Sequence, residues 1–111
     1  RYVSRLGLNA AKRLFLTAET LAAEELLAIG YLTELVPRDE LAAATDALAE
    51  RLSAMAPLAV QGMKRSLNEI AHGRFDVEGA LARAAATQAS ADLKEGLAAF
   101  REKRPPVFGG R

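Results

Sequence analysis

The fold class predicted for this chain is decided by residues 90–110, SADLKEGLAAFREKRPPVFGG. This stretch contains the signals for the start, the apolar face and the end of a helix. Ser90 is a favoured N-cap residue, because its hydroxyl can accept a hydrogen bond from a free N–H of the first turn. Apolar side chains then recur at the spacing of one helical face, until a double proline ends the helix. The apolar positions are Leu93, Leu97 and Phe100, and the stop is Pro105 and Pro106.

The residues before this stretch predict five further helices by the same signals. Each predicted helix opens with a capping side chain or with a proline suited to the first turn, and carries apolar residues at helical spacing. Glycines at positions 30 and 73 stand where helices commonly end. The predicted starts are Asn9, Thr20, Asp39, Pro57 and Asp76.

Tyr31–Val36, with the sequence YLTELV, is predicted to form one short strand. The segment contains β-branched and aromatic residues, is too short for a helix and is followed by Pro37. A lone strand needs a partner, which the rest of the chain does not obviously supply. The predicted fold class is therefore mainly α, with about six helices and one short strand.

The composition describes a folded protein and excludes several kinds of site. Of 111 residues, 50% are hydrophobic and 26% charged, with a net charge of +1, so charge alone names no partner. The chain has no cysteine and a single histidine, so we expect no disulfide, thiolate nucleophile or protein-built metal centre. No apolar run is long enough to span a membrane and no signal peptide is recognisable, so we expect a soluble, cytoplasmic protein.

Two candidate sites deserve separate interpretations. His72 precedes Gly73 at a predicted helix C-terminus, where a polar or cationic side chain is favoured, so we interpret it as a capping residue. Phe100 and Lys103 are three residues apart on the same face of the predicted helix, which places an apolar ring beside an ammonium group. This pair would suit a ligand with an apolar part and a phosphate.

The positive charge near the C-terminus leaves an alternative function open. Four cationic residues there face a single acidic one, Glu102, so the chain could be a stand-alone helical interaction module whose basic tail binds nucleic acid or an acidic protein. Two observations argue against this alternative. The excess positive charge is confined to the tail, and the double proline there would interrupt a long basic helix. The cationic residues are Arg101, Lys103, Arg104 and Arg111.

Three segments in this order resemble the crotonase family, the enoyl-CoA hydratases and isomerases. LGLNAAKRLFLTAETLAAEELLAIGYLTELVP, residues 6–37, is similar to the stretch that follows the active site in that family. APLAVQGMKRSLN, residues 56–68, resembles its proline-led helix, and residues 90–110 resemble its ending. Ala18 stands where the family has a turn glycine, and Tyr31 replaces a common leucine.

The resemblance implies the C-terminal helical part of an α/β spiral of ββα units that binds acyl-CoA thioesters and assembles as trimers or hexamers. Residues 1–37 would end the crotonase-like core, and residues 38–111 would form a helical oligomerisation region with a basic tail. The acid–base carboxylates and the oxyanion hole of the family match positions before Arg1, so we assign no catalytic residue to this chain. Since the sequence starts without methionine, we expect part of a longer protein.

The same resemblance assigns ligand contacts to the tail. By position, Phe100 would pack on the CoA of a neighbouring subunit and Lys103 would meet a CoA phosphate. Asp92, Glu95 and Gly96 would be structural, and the three arginines of the tail would be surface charge. We expect a CoA thioester as substrate, no tightly bound cofactor, no nucleic acid or membrane partner, and a role in fatty acid metabolism as a hydratase or isomerase.

Overall fold

The computed structural model describes residues 2–111, which form six α-helices and one 3-10 turn. The chain divides into two compact units, with the boundary between Ala44 and Thr45. Among the described residues, no helix combines the length and the apolarity needed to cross a bilayer. The elements are α1 Tyr2–Thr17, α2 Ala23–Ala28, the 3-10 turn Arg38–Glu40, α3 Leu41–Ser53, α4 Pro57–Ala71, α5 Val77–Ala89 and α6 Ala91–Glu102.

The six predicted helices are confirmed, and in the second unit their start signals act as the sequence indicates. Pro57 is the first residue of α4, where its missing N–H leaves no hydrogen bond unmade. The Asp76 carboxylate accepts a hydrogen bond from the Gly79 N–H at 3.0 Å and caps α5. The Ser90 hydroxyl accepts one from the Leu93 N–H at 3.1 Å and caps α6. Local side-chain chemistry thus fixes where these helices begin.

The predicted helix start at Asn9 is wrong, because helical structure begins earlier, at Tyr2. Gly7 interrupts α1 with φ 74° and ψ 164°, a conformation that only glycine adopts without strain. The helix resumes directly after this kink, so Asn9 lies inside it. Across the kink, the rings of Tyr2 and Phe15 make an edge-to-face contact with centroids 5.1 Å apart.

The predicted N-cap at Thr20 is also wrong, because α2 begins after Ala22. The alanine side chain has no acceptor that could cap the helix. The N–H of Ala22 itself is instead bonded by a side chain from the first turn. The Glu25 carboxylate accepts a hydrogen bond from the Ala22 N–H at 3.0 Å. Glu25 also pairs with Arg13 of α1 at 3.1 Å, and the two contacts together lower the pKa of its carboxyl.

The predicted strand Tyr31–Val36 is absent from the described chain, because hydrogen bonds to α2 turn its first residues back. The N–H groups of Tyr31 and Leu32 both donate to the Leu26 carbonyl, at 2.9 and 3.2 Å. Gly30, with φ 75°, supplies the left-handed residue of this helix ending, as the sequence indicated. The residues that follow find no partner strand among residues 2–111.

In the second unit, α4 packs on α5 through small side chains around one half-buried guanidinium. Arg83 of α5 donates to the Ser66 hydroxyl at 2.8 Å and to the Glu69 carboxylate at 2.9 Å. Glu69 also accepts from Arg65 at 2.8 Å, which together with Arg83 lowers the pKa of the Glu69 carboxyl. Polar contacts therefore fix the register between two helices whose apolar side chains at the contact are small.

Two residues other than glycine adopt a left-handed backbone in the described chain: Ala18 with φ 55° and Lys103 with φ 53°. For a residue with a Cβ, this conformation costs roughly 1–2 kcal/mol relative to the right-handed helix. Ala18 directly follows α1 and is exposed, so no packing of its methyl group offsets this cost.

We predict that Ala18→Gly stabilises the protein that carries this chain by about 0.5–1 kcal/mol. The gain is the relief of the left-handed strain, reduced by the larger backbone entropy that glycine has in the unfolded state. The measurement is the free energy of unfolding in urea. Ala47→Gly, at an exposed position inside α3, is the matched control and should destabilise by about 1 kcal/mol. Equal losses for both variants would contradict the assigned strain.

Candidate functional site

Residues 104–111, called the tail from here on, fold back along α6 and are held at the start of that helix by Asp92. The two carboxylate oxygens of Asp92 accept hydrogen bonds from the N–H groups of Gly109 and Gly110, at 2.7 and 2.9 Å. The Arg111 carbonyl in turn accepts one from the Ala91 N–H at 2.7 Å. Asp92 is only 4% exposed, so its role is structural and the tail is an integral part of the unit.

Glu95, one helical turn after Asp92, holds the other end of the tail. Its carboxylate pairs with the Arg104 guanidinium through two contacts, at 2.5 and 3.0 Å, and accepts a hydrogen bond from the Val107 N–H at 2.9 Å. The bonds from Arg104, and then from Val107, lower the pKa of the Glu95 carboxyl to about 2. A carboxylate bonded in this way strongly favours its charged form.

Arg104 is exposed, as expected of surface charge, but it is also paired within the chain. Besides its two contacts with Glu95, the guanidinium donates to the Glu102 carboxylate at 2.6 Å, and these hydrogen bonds raise the pKa of Arg104. Sequence reasoning missed this role because the partner Glu95 lies nine residues away, across the end of the helix. Only the direction in which the chain folds back brings the two side chains together.

Gly96 and Phe108 form the apolar part of the same contact. The Phe108 ring lies against α6, where an added Cβ on Gly96 would come within 3.5 Å of the ring. A cavity of about 190 Å³ beside the ring is lined by apolar side chains from α4 and α6, among them Leu58 and Leu93. The tail is therefore anchored by apolar contact as well as by the two carboxylates.

Lys103 lies between α6 and the tail in the left-handed conformation, with φ 53° and ψ 40°. Its N–H bonds to the Phe100 carbonyl at 3.4 Å, and the Arg104 N–H bonds to the Ala99 carbonyl at 3.1 Å. This pair of bonds defines a helix ending whose left-handed position is usually glycine. The exposed Lys103 ammonium forms no ion pair with any residue of the described chain.

Phe100 is 85% exposed, the highest value among the large apolar side chains of the described residues. It lies in the last turn of α6, which ends at Glu102. The premise that Phe100 and Lys103 lie on one continuous helix is therefore wrong, although both side chains are exposed at the same end of α6. An exposed ring and a cation without an internal partner are chemically suited to a ligand with an apolar group and a phosphate.

The other sequence-based candidate, His72, is a helix-ending residue as predicted. It is the C-cap of α4, and its Nδ1 lies 2.6 Å from the Asn68 carbonyl oxygen. Residues 2–111 contain no group of three or more histidine, aspartate or glutamate side chains placed to hold a metal ion. The end of α6 stays the predicted site.

Comparison with known proteins gives a consistent family assignment. The family model described as "Enoyl-CoA hydratase/isomerase" matches residues 1–111. Methylmalonyl-CoA decarboxylase of Escherichia coli K12 is 33% identical over 108 residues, which are 94% of this chain and 41% of that protein. 2,3-Dehydroadipyl-CoA hydratase of the same strain is 28% identical over 113 residues, covering 100% of this chain and 44% of that protein.

The fold is also similar to solved structures. The crystal structure of enoyl-CoA hydratase from Mycobacterium tuberculosis H37Rv matches with a TM-score of 0.81 at 32% sequence identity. The match covers 96% of this chain and 43% of that one. The chain spans about two fifths of the length of the curated relatives it matches.

We predict that Glu95→Gln destabilises the protein at pH 7 and that this deficit shrinks as the pH falls from about 4.5 towards 2. The folded-state pKa of about 2 lies below the ordinary value of 4.5, so the stabilisation is present above pH 4.5 and is lost as Glu95 becomes protonated. Urea unfolding midpoints at pH 7, 4 and 3 measure the difference.

Glu102→Gln is the matched control for this measurement, because Glu102 pairs with the same arginine but its side chain is 60% exposed. We expect little change in the unfolding midpoint at any of the three pH values, since exposed ion pairs contribute little. A Glu95→Gln deficit that stays constant from pH 7 to pH 3 would contradict the assigned role of the Glu95 charge.

Proposed function

Since the chain belongs to the enoyl-CoA hydratase/isomerase family, we propose that it is the C-terminal part of an enzyme that hydrates or isomerises enoyl-CoA thioesters. Support comes from the family match over residues 1–111 and from the share of the relatives that the chain spans. The alternative of a stand-alone module for nucleic acid or acidic proteins has no support, because the matched proteins are enzymes named for CoA thioesters. A cytoplasmic location and a role in fatty acid metabolism belong to the same proposal.

In this proposal, the end of α6 forms one edge of the CoA site. Phe100 packs on the cofactor part of the thioester, and the Lys103 ammonium pairs with a CoA phosphate. The observation that carries this assignment is the exposure of both side chains at a helix end that the tail holds in place. A lysine held in a strained backbone without an internal ion pair is explained if its side chain is used by a ligand.

The chemistry itself belongs to residues outside this chain. Hydration or isomerisation requires proton transfer at carbons α and β of the acyl group, with the thioester enolate held by backbone N–H groups. Phe100 and Lys103 would contribute binding energy at a part of the substrate that does not react. CoA is part of the substrate, and the enzyme needs no tightly bound cofactor.

We further propose that residues 38–111 mediate assembly into a homotrimer or a pair of trimers, in which the end of α6 serves the CoA of a neighbouring subunit. Support comes from α4, whose face formed by Met63, Leu67 and Ile70 is exposed. Contiguous exposed apolar side chains are typical of surfaces that bind other protein. Sedimentation velocity of the protein that carries this chain tests the assembly.

We predict that Lys103→Glu raises the KM for crotonyl-CoA about tenfold or more and leaves kcat within about twofold. Loss of a charge-assisted hydrogen bond costs about 1.5–3 kcal/mol, and the contact is remote from the reacting carbons. Steady-state kinetics of the full-length protein measure both constants. The KM for crotonyl-pantetheine, which lacks the CoA nucleotide and its phosphates, should not change.

Lys94→Glu is the matched control, because Lys94 is an exposed lysine near the other end of α6. It carries the same charge reversal and should leave the KM for crotonyl-CoA unchanged. A normal KM in Lys103→Glu would remove Lys103 from the site. Equal increases in both variants would show that general surface charge, and not a specific contact, governs binding.

We predict that Lys103→Gly raises both the stability of the protein and the KM for crotonyl-CoA. Glycine relieves the left-handed strain at this position, a gain of about 0.5–1 kcal/mol, but it removes the ammonium group. Urea unfolding and steady-state kinetics on the same preparation give both values. A variant that is more stable and binds normally would contradict a ligand role for Lys103.

A further inference from the structure

We infer that the ion pair between Glu95 and Arg104 is a positioning device for Lys103, which fixes the Lys103 ammonium for its contact with a CoA phosphate. This inference rests on the proposed function, because it concerns the same edge of the site. It adds two residues, neither of which would touch the substrate, and gives the tail a role in substrate binding.

The first step is that Lys103 is held from the residue that follows it. The Arg104 N–H is bonded to the Ala99 carbonyl at 3.1 Å, and the Arg104 guanidinium is bonded twice to Glu95. Both the main chain and the side chain of Arg104 are therefore tied to α6. Lys103 lies between the end of α6 and this fixed point, so its backbone has little freedom to rearrange.

The second step concerns the backbone conformation of Lys103. A left-handed backbone is disfavoured for any residue with a Cβ and persists only where the surrounding structure holds it. The Glu95 carboxylate provides this hold, since it binds Arg104 and the Val107 N–H at once. Without Glu95, the two hydrogen bonds from Arg104 and the one from Val107 that keep residues 104–107 against α6 would be lost, and Lys103 could relax to an ordinary conformation.

The third step separates positioning from simple electrostatics. Glu95 is negatively charged and directly contacts the neighbour of Lys103, so by charge alone it would oppose the binding of a phosphate. Removing this charge should then tighten CoA binding if Glu95 acts only through its field. If Glu95 positions Lys103, removing it should weaken binding. The two explanations predict opposite changes in the KM for crotonyl-CoA.

The test is Glu95→Gln in the full-length protein, assayed with crotonyl-CoA and with crotonyl-pantetheine at pH 7. We expect the KM for crotonyl-CoA to rise about threefold to tenfold, with kcat within about twofold and the KM for crotonyl-pantetheine unchanged. A lower KM for crotonyl-CoA, or an unchanged one, would overturn the inference. A general loss of structure would lower kcat with both substrates, and this outcome would also count against positioning.

Arg104→Lys is a second variant that keeps the positive charge but cannot form the two-pronged contact with a carboxylate. We expect the same rise in KM for crotonyl-CoA and the same normal KM for crotonyl-pantetheine. It keeps the inference falsifiable if Glu95→Gln does not fold. Arg101→Lys is the control, because Arg101 lies in the last turn of α6 and its only side-chain hydrogen bond within the described chain is to the Leu97 carbonyl.

A double-mutant cycle with Lys103→Met decides whether Glu95 acts through Lys103. If it does, Glu95→Gln should change the KM less than about twofold once the ammonium is gone. Additive effects would overturn the inference while leaving the proposed function intact. If Lys103→Met itself leaves the KM for crotonyl-CoA unchanged, the proposed CoA contact fails first, so the two failures are distinguishable.

Discussion

The second unit depends on one arrangement, in which two carboxylates on the same face of α6 accept the backbone N–H groups of the tail. Asp92 and Glu95 are three residues apart, so both point towards the segment that runs back along the helix. The tail has no regular secondary structure, and three of its N–H groups find their acceptors only there. The position of Phe108 follows from these bonds.

Much of this fold could be predicted from sequence because its decisive signals are local. Ser90, Asp76 and Pro57 each act within one turn of the helix start that they mark. The predicted strand failed because its residues favour extended structure, while the hydrogen bonds of its first two residues go back to the Leu26 carbonyl. Propensity cannot show that a preceding helix end already uses the N–H groups that a strand would need.

The candidate site shows the same division between local and distant causes. The resemblance indicated Phe100 and Lys103, and the exposure of Phe100 agrees with a ligand contact that is still a prediction. The left-handed backbone of Lys103 was not predictable, because the helix ending in which it lies usually has glycine at this position. The pairing of Arg104 with Glu95, nine residues earlier, exists only once the tail has folded back.

The distribution of apolar residues on α4 links this local architecture to the proposed assembly. One face of the helix, with the small residues Gly62 and Ser66, lies against α5. The adjacent face carries the larger Met63, Leu67 and Ile70 and is exposed. A helix that stabilised only its own unit would bury its largest apolar side chains against that unit, because apolar burial dominates the free energy of folding. On α4 the larger apolar side chains are the exposed ones. This arrangement favours a unit that is stabilised by contact with another protein surface. In the proposed assembly, the subunit contact that covers the exposed face of α4 would also bring the end of α6 to the CoA site of a neighbouring subunit.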